Sequence, residues 1–169
     1  PETEKIVKSL KDNNNIYLVP AFRGLGAPYW DANARGVLSG ITRDTSPKEI
    51  VRATIEAVAY QTHDLFEAMK HDGLRPKIVK VDGGMVMNNW FSQFLSDVVN
   101  VKVLRPKVQE TTALGAAFMA GLHIGVYKTL KDISKNWQVD KKFAPKMSKK
   151  SRSVLLKGWM KAVKRTLIN

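Results

Sequence analysis

The sequence contains no cysteine, which excludes disulfides and thiolate metal sites and makes a reducing compartment the plain expectation. It lacks any apolar run approaching the roughly 20 residues that cross a bilayer, and no signal-peptide pattern opens it. We therefore expect a cytoplasmic protein with no membrane span. Neither a Gly-x-Ser-x-Gly elbow nor a Walker-type phosphate loop occurs. His63, His71 and His123 stand apart, without metal-ligand spacing. Acid is in short supply: 15 Asp and Glu face 28 Lys and Arg, a net charge of +13 over 169 residues. With 44% hydrophobic and 25% charged residues, the composition is that of a globular protein, not a disordered or fibrous one. The length suits one domain, able to bury roughly 70% of its unfolded surface. The opening at Pro1, inside a charged segment with helical pattern, suggests a piece of a longer protein.

The shortage of acid is local. Residues 1–127 carry 15 basic and 13 acidic side chains, whereas residues 128–169 carry 13 basic and only Asp132 and Asp140. Clustered Lys and Arg attract phosphates, so a nucleic-acid or anion surface is one reading. The pattern within 148–168 favours a docked helix with a wet basic side. Val154, Leu155, Gly158, Trp159, Ala162, Val163, Thr166 and Leu167 recur at helical spacing, with Lys150, Lys157, Lys161 and Lys164 opposite. The aromatic residue lies among the apolar ones and does not alternate with the bases, as a base-stacking surface requires.

Elsewhere the periodicity predicts helices over 3–12, about 46–70, about 85–99 and 113–124, with strands at 16–19, 36–41, 78–81 and 101–104. Ser46-Pro47-Lys48-Glu49 is a strong helix start, with Ser as N-cap, Pro in the first turn and Glu three residues after the cap. Along that helix Ile50, Thr54, Ala57, Val58, Gln61, Leu65 and Met69 form the expected inner stripe. The alternation from 46 to 124 predicts an α/β fold with a parallel strand pair, and the two earlier strands add an antiparallel part, making the sheet mixed. The small residues of Ala113–Ala117 and Gly121 predict close helix packing. We expect a single domain over 1–169, with a core of about 16–125 and a basic extension of about 128–169. The four tryptophans lie in separate elements and read as packing residues.

The segment with most chemistry in it is Val81-Asp82-Gly83-Gly84-Met85-Val86-Met87-Asn88. A buried strand is expected to end in Asp-Gly-Gly and to pass at once into a helix. Adjacent glycines let the backbone approach a ligand and take positive φ, and the first N–H groups of a helix favour a phosphate or a ribose edge. Asn88, one helical turn on, has an amide that donates and accepts together, which suits a purine edge. The alternative stays open: a tight strand-to-helix turn with solvated asparagines.

Several segments in this order resemble the C-terminal half of the FGGY carbohydrate kinases, particularly those that phosphorylate glycerol. Pro20-Ala21-Phe22-Arg23-Gly24-Leu25-Gly26-Ala27-Pro28-Tyr29-Trp30-Asp31 is similar nearly residue for residue. Gly36–Ile41 followed by Glu49–Glu56 resembles the family's second signature, and Ala59–Thr62, Val81–Asn88, Gln93 with Asp97, Arg105-Pro106 and Thr112–Ala117 also match. The resemblance implies an actin-like ATPase fold, in which two ribonuclease-H-like domains close over ATP and this chain is the second of them. Gly84 and Asn88 match nucleotide-contacting positions, with Gly83 and Met85 as neighbours. It implies no catalytic residue here, ATP or ADP with Mg²⁺ as cofactor, glycerol as acceptor, an N-terminal domain as partner, and a homo-oligomer at full length. The catalytic Asp, the other phosphate loop and the glycerol pocket have no counterpart, so the chain alone is expected to bind nucleotide weakly and to transfer no phosphate. Leu95 departs from the family's usual Gln. Lys149-Lys150-Ser151 reverses the charge of a stretch that is acidic in enteric members, where a regulatory protein docks, which argues against that docking. Two other readings remain: a kinase of the same family acting on a pentulose or hexonate, and a non-enzymatic basic module that binds anions or nucleic acid.

Overall fold

The computed structural model describes residues 2–167. Helix α1 (Glu2–Ser9) precedes strands β1 (Tyr17–Val19) and β2 (Val37–Ser39), and the long helix α2 (Pro47–His71) follows. Next come β3 (Ile78–Lys80), a 3₁₀ turn (Gly84–Met87), α3 (Asn89–Val99), β4 (Lys102–Pro106) and α4 (Thr111–His123). The chain finishes with α5 (Leu130–Ser134), β5 (Val139–Phe143) and α6 (Lys149–Thr166). Residue 168 of the expected last helix lies outside the described residues.

The expected mixed α/β architecture is present, divided between two sheets. β1 and β2 pair antiparallel, Tyr17 opposite Ser39. β4 lies between β3, which it pairs in parallel with Val79 opposite Val103, and β5, which it pairs antiparallel with Val103 opposite Phe143. The parallel pair is the one expected from the helix–strand alternation. β5 was not foreseen, because Val-Asp-Lys-Lys-Phe reads as part of a basic stretch; its Phe143 end is buried while its middle three residues are exposed. β3, expected to be buried, is an edge strand, and Ile78 is 52% exposed.

Four aromatic rings join α2, α3, α6 and β1. Tyr60 stacks on Trp159 with ring centroids 5.3 Å apart, meets Phe94 edge-on at 5.7 Å and tilts against Tyr17 at 5.8 Å. Such pairs add about 0.5–1.5 kcal/mol each beyond the area they bury. Trp159, Ala162, Val163 and Thr166 face this core, so α6 is a docked helix, with Lys150, Lys157, Lys161 and Lys164 on its exposed side. Leu95, the departure from the family pattern, sits inside the same core.

Of the inner stripe expected on α2, only Ala57 is buried. Ala53, Glu56, Ala57, Tyr60 and Asp64 are buried, while Ile50, Val58 and Leu65 are more than a third exposed. Three acids of α2, Glu49, Glu56 and Asp64, are buried because each has partners. Glu56, wholly buried, accepts from Asn13 at 2.9 Å, Arg52 at 2.7 Å and Tyr60 at 2.9 Å. Burial pushes its carboxyl up, against the opposing pull of Arg52, Tyr60 and Asn13. Asp64 accepts from the Tyr29 hydroxyl and the Trp159 indole, both at 2.7 Å. A rule that counts apolar residues assigns such a face to the wrong side.

Candidate functional site

The strand-to-helix turn is built differently from its expected form. Asp82-Gly83 leads into a 3₁₀ turn, and the α-helix starts only after Asn88. Asn88 is the N-cap of α3: its side-chain oxygen accepts from the Phe91 N–H at 3.0 Å. The amide oxygen is thereby engaged with the backbone, and the amide NH₂ is the part of the side chain outside that bond. The α-helix N–H groups expected behind Gly84 therefore lie four residues further on. The cause is local: a 3₁₀ turn closed by Asn88 N–H on the Met85 carbonyl at 3.1 Å competes with a helix that a good cap then starts afresh.

The two glycines differ. Gly83 has φ 82° and ψ 175°, a region open essentially to glycine alone. Gly84 carries no such constraint, and a Cβ placed on it meets no heavy atom of the described residues within 4 Å. The fold thus requires glycine at 83 and leaves it unexplained at 84.

Gly84, Met85 and Asn88 come together on one wall of a cleft of about 630 Å³, completed by Met87, by Thr3 and Glu4 from α1 and by Thr54 and Ile55 from α2. Gly83 shapes the turn without lining the cleft. Glu4, Thr3 and Thr54 were missed by sequence reasoning, for which they are only polar residues in helices. The Glu4 carboxylate lies 2.5 Å from the Lys8 ammonium and accepts the Asn89 N–H at 3.2 Å. The hydrogen bond from Lys8, more than any other influence, holds that carboxyl below its usual range. Met85 and Met87, about half exposed, give the cleft soft apolar flanks.

The described residues that line the cleft do not fit a Mg²⁺ site. Among the described residues no group of three or more His, Asp or Glu could hold a metal. The single carboxylate lining the cleft, Glu4, is already paired. Asp82 does not enter this cleft; its carboxylate accepts from the Thr111 hydroxyl and ties the glycine turn to the first residue of α4. The small-residue helix α4 does not pack closely on another helix. Its buried residue is Gly121, where a Cβ would stand 2.9 Å from the Tyr127 ring.

Residues 3–124 match the family model described as the FGGY family of carbohydrate kinases, C-terminal domain. The chain belongs to the FGGY carbohydrate kinases.

Its curated relatives in the family include glycerol kinase 1 of Pseudomonas aeruginosa, 54% identical over 97% of this chain, and the glycerol kinase of Clostridium botulinum strain 657, 52% identical over 98%. The chain spans about a third of their length, 33% and 34% respectively. Among solved FGGY structures, the Plasmodium falciparum glycerol kinase with ADP superposes with a TM-score of 0.86 at 37% identity. That match covers 99% of this chain and 34% of the Plasmodium one. The Lactobacillus acidophilus gluconate kinase superposes with a TM-score of 0.75 at 26% identity, over 97% of this chain and 33% of its own. The α/β arrangement described above is thus that of the FGGY C-terminal domain. Among the described residues no helix is long and apolar enough to cross a membrane.

Proposed function

We propose that this chain is the nucleotide-binding part of an ATP-dependent glycerol kinase, which moves the γ-phosphoryl group of ATP to glycerol and yields sn-glycerol 3-phosphate. The observation that carries the reading is Gly84: a glycine the fold does not need, open on the cleft side, where any side chain would take up ligand space. A cleft of about 630 Å³ is within the range of small-molecule and cofactor sites. In this reading the nucleoside lies against Gly84, with Met85 at its flank and the Asn88 NH₂ donating to a polar edge of the purine. Gly83 holds the turn in the conformation that brings these groups forward. Mg²⁺ arrives on the nucleotide phosphates, since the described residues that line the cleft offer it no ligand set.

Glycerol is favoured over a pentulose or hexonate because the glycerol kinases stand at 51–54% identity and the gluconate kinase at 26%. On the same reading residues 1–169 act as one domain in the reducing cytoplasm. The catalytic Asp and the glycerol pocket come from the remaining length of an enzyme the size of the relatives, which assembles as a homo-oligomer. In phosphoryl transfer the protein acts mainly by positioning and charge stabilisation, and the share assigned to this chain is the positioning of the nucleotide.

Calorimetric titration of the chain with Mg·ADP tests the reading. We expect weak saturable binding that Gly84→Val abolishes and Asn88→Ala reduces, with no glycerol phosphorylation by the chain alone. Absence of ADP binding by the folded wild-type chain, or full binding by Gly84→Val, refutes it.

A further inference from the structure

Against the glycine turn, and not among the residues that line the cleft, lies a charged side chain. Arg105 on β4 is only 6% exposed. Its Nη1 donates to two carbonyls of the turn region, that of Val86 at 2.9 Å and that of Met87 at 3.3 Å. The other side of the guanidinium is held by β5, with Nε and Nη2 each 2.7 Å from Asp140 Oδ2. The Val86 carbonyl receives a second donor, the Ser92 hydroxyl, at 3.0 Å.

These bonds are placed where the turn is weakest. A four-residue 3₁₀ turn has poor internal hydrogen-bond geometry, and carbonyls at the end of a helical segment lack intrahelical partners. A buried guanidinium offers them charge-assisted donors, stronger than neutral ones. Val86 and Met87 also sit between the two halves of the ligand wall, Gly84 and Met85 before them and Asn88 after. Whatever fixes their carbonyls fixes how far apart and at what tilt the two halves stand.

We propose that Arg105, oriented by Asp140, is the positioning residue of the nucleotide cleft. It touches no ligand, and it sets the backbone of 84–88 in the shape that receives one. The proposal rests on the nucleotide reading and extends it in one respect. Asp140 belongs to the basic C-terminal segment, beyond residues 3–124 of the family match, so the cleft is complete only when β5 is paired beside β4. A clamp of this kind explains why a charge is kept in a place where it costs desolvation.

The experiment compares Mg·ADP affinity and urea unfolding for the 169-residue chain and three variants. Arg105→Lys keeps the positive charge but loses the fork that reaches Asp140 and both carbonyls together. We expect its Kd for Mg·ADP to rise about tenfold, the scale of one hydrogen bond to a charged group, while the chain stays folded. Asp140→Asn, which leaves the bonds from Arg105 to the carbonyls in reach, is expected to weaken binding about threefold and decides the matter should Arg105→Lys fail to fold. Trp159→Phe, a core change on α6 away from the turn, serves as the control: it lowers the unfolding midpoint and leaves Kd unchanged. An unaltered Kd in folded Arg105→Lys and Asp140→Asn, or an equal loss in Trp159→Phe, overturns the proposal while leaving the nucleotide reading standing. Failure of the wild-type chain to bind ADP overturns both.

Discussion

Gly83 and Gly84 are neighbours with the same side chain and opposite reasons for it. At Gly83 the reason is the backbone: φ 82° with ψ 175° costs a non-glycine residue about 1–3 kcal/mol. At Gly84 the backbone makes no such demand and a Cβ would stand in open space. Substitution by alanine separates the two. Gly83→Ala is expected to lower unfolding free energy by about 1–3 kcal/mol, and Gly84→Ala to change it by less than about 0.5 kcal/mol. Urea unfolding of both variants measures this; equal destabilisation would show that Gly84 is a folding requirement and remove the ground on which the ligand reading stands. From the sequence the pair is legible as a turn, because adjacent glycines after a β-rich run have few other uses. Which of the two serves the fold is not legible, since that depends on ψ and on what surrounds each Cα.

At the level of elements the same contrast governs the helices. α6 crosses β1 so closely that a Cβ on Gly158 would lie 2.2 Å from the Tyr17 hydroxyl oxygen. In an open helix, glycine to alanine gains about 1 kcal/mol of helix propensity. For Gly158→Ala we expect that gain to be reversed to a net loss of about 1–3 kcal/mol, the cost of overpacking. Gly115 in α4 has no described atom within 4 Å of its Cβ position, so Gly115→Ala should gain up to about 1 kcal/mol. Thermal unfolding of the two variants should therefore shift in opposite directions, and shifts of one sign would contradict the packing described. Much of the element order could be read in advance. The start of α2 is explicit in Ser46-Pro47-Lys48-Glu49, and the structure closes that capping box. The inner face of α2 could not be read, because Glu56 and Asp64 are buried by virtue of Asn13, Tyr29 and Trp159, partners distant in sequence. β5 was hidden for a related reason: its Lys141 and Lys142 are exposed residues of a basic stretch, and only pairing with β4 makes it a strand. The cleft was half legible. Gly84, Met85 and Asn88 lie on one contiguous motif, whereas Glu4 and Thr54 reach it from α1 and α2 by tertiary packing.

For the molecule as a whole, the surplus of +13 and the proposed phosphate chemistry occupy different places. The basic C-terminal segment owns two acids, and both are spent on structure. Asp132 closes the N-terminal cap of α5 with Thr129, and Asp140 holds Arg105. The lysines of α6 are left facing solvent while the helix's other side supplies Trp159 to the core. None of Lys157, Lys161 and Lys164 lines the cleft that contains Gly84, and exposed charges separated by more than about 8 Å are screened at physiological salt. Replacing all three together, Lys157→Gln with Lys161→Gln and Lys164→Gln, should therefore leave Mg·ADP affinity unchanged at 150 mM salt, on the order of the cell's own. Stability should move by no more than about 0.5 kcal/mol per site, as for ordinary surface substitutions. Retention on heparin should fall markedly, because clustered cations dominate binding to a polyanion. A triple variant that binds ADP less well would make the basic helix part of the nucleotide site. A variant that loses only heparin retention assigns the charge to the outer surface and leaves nucleotide binding to the glycine turn clamped by Arg105.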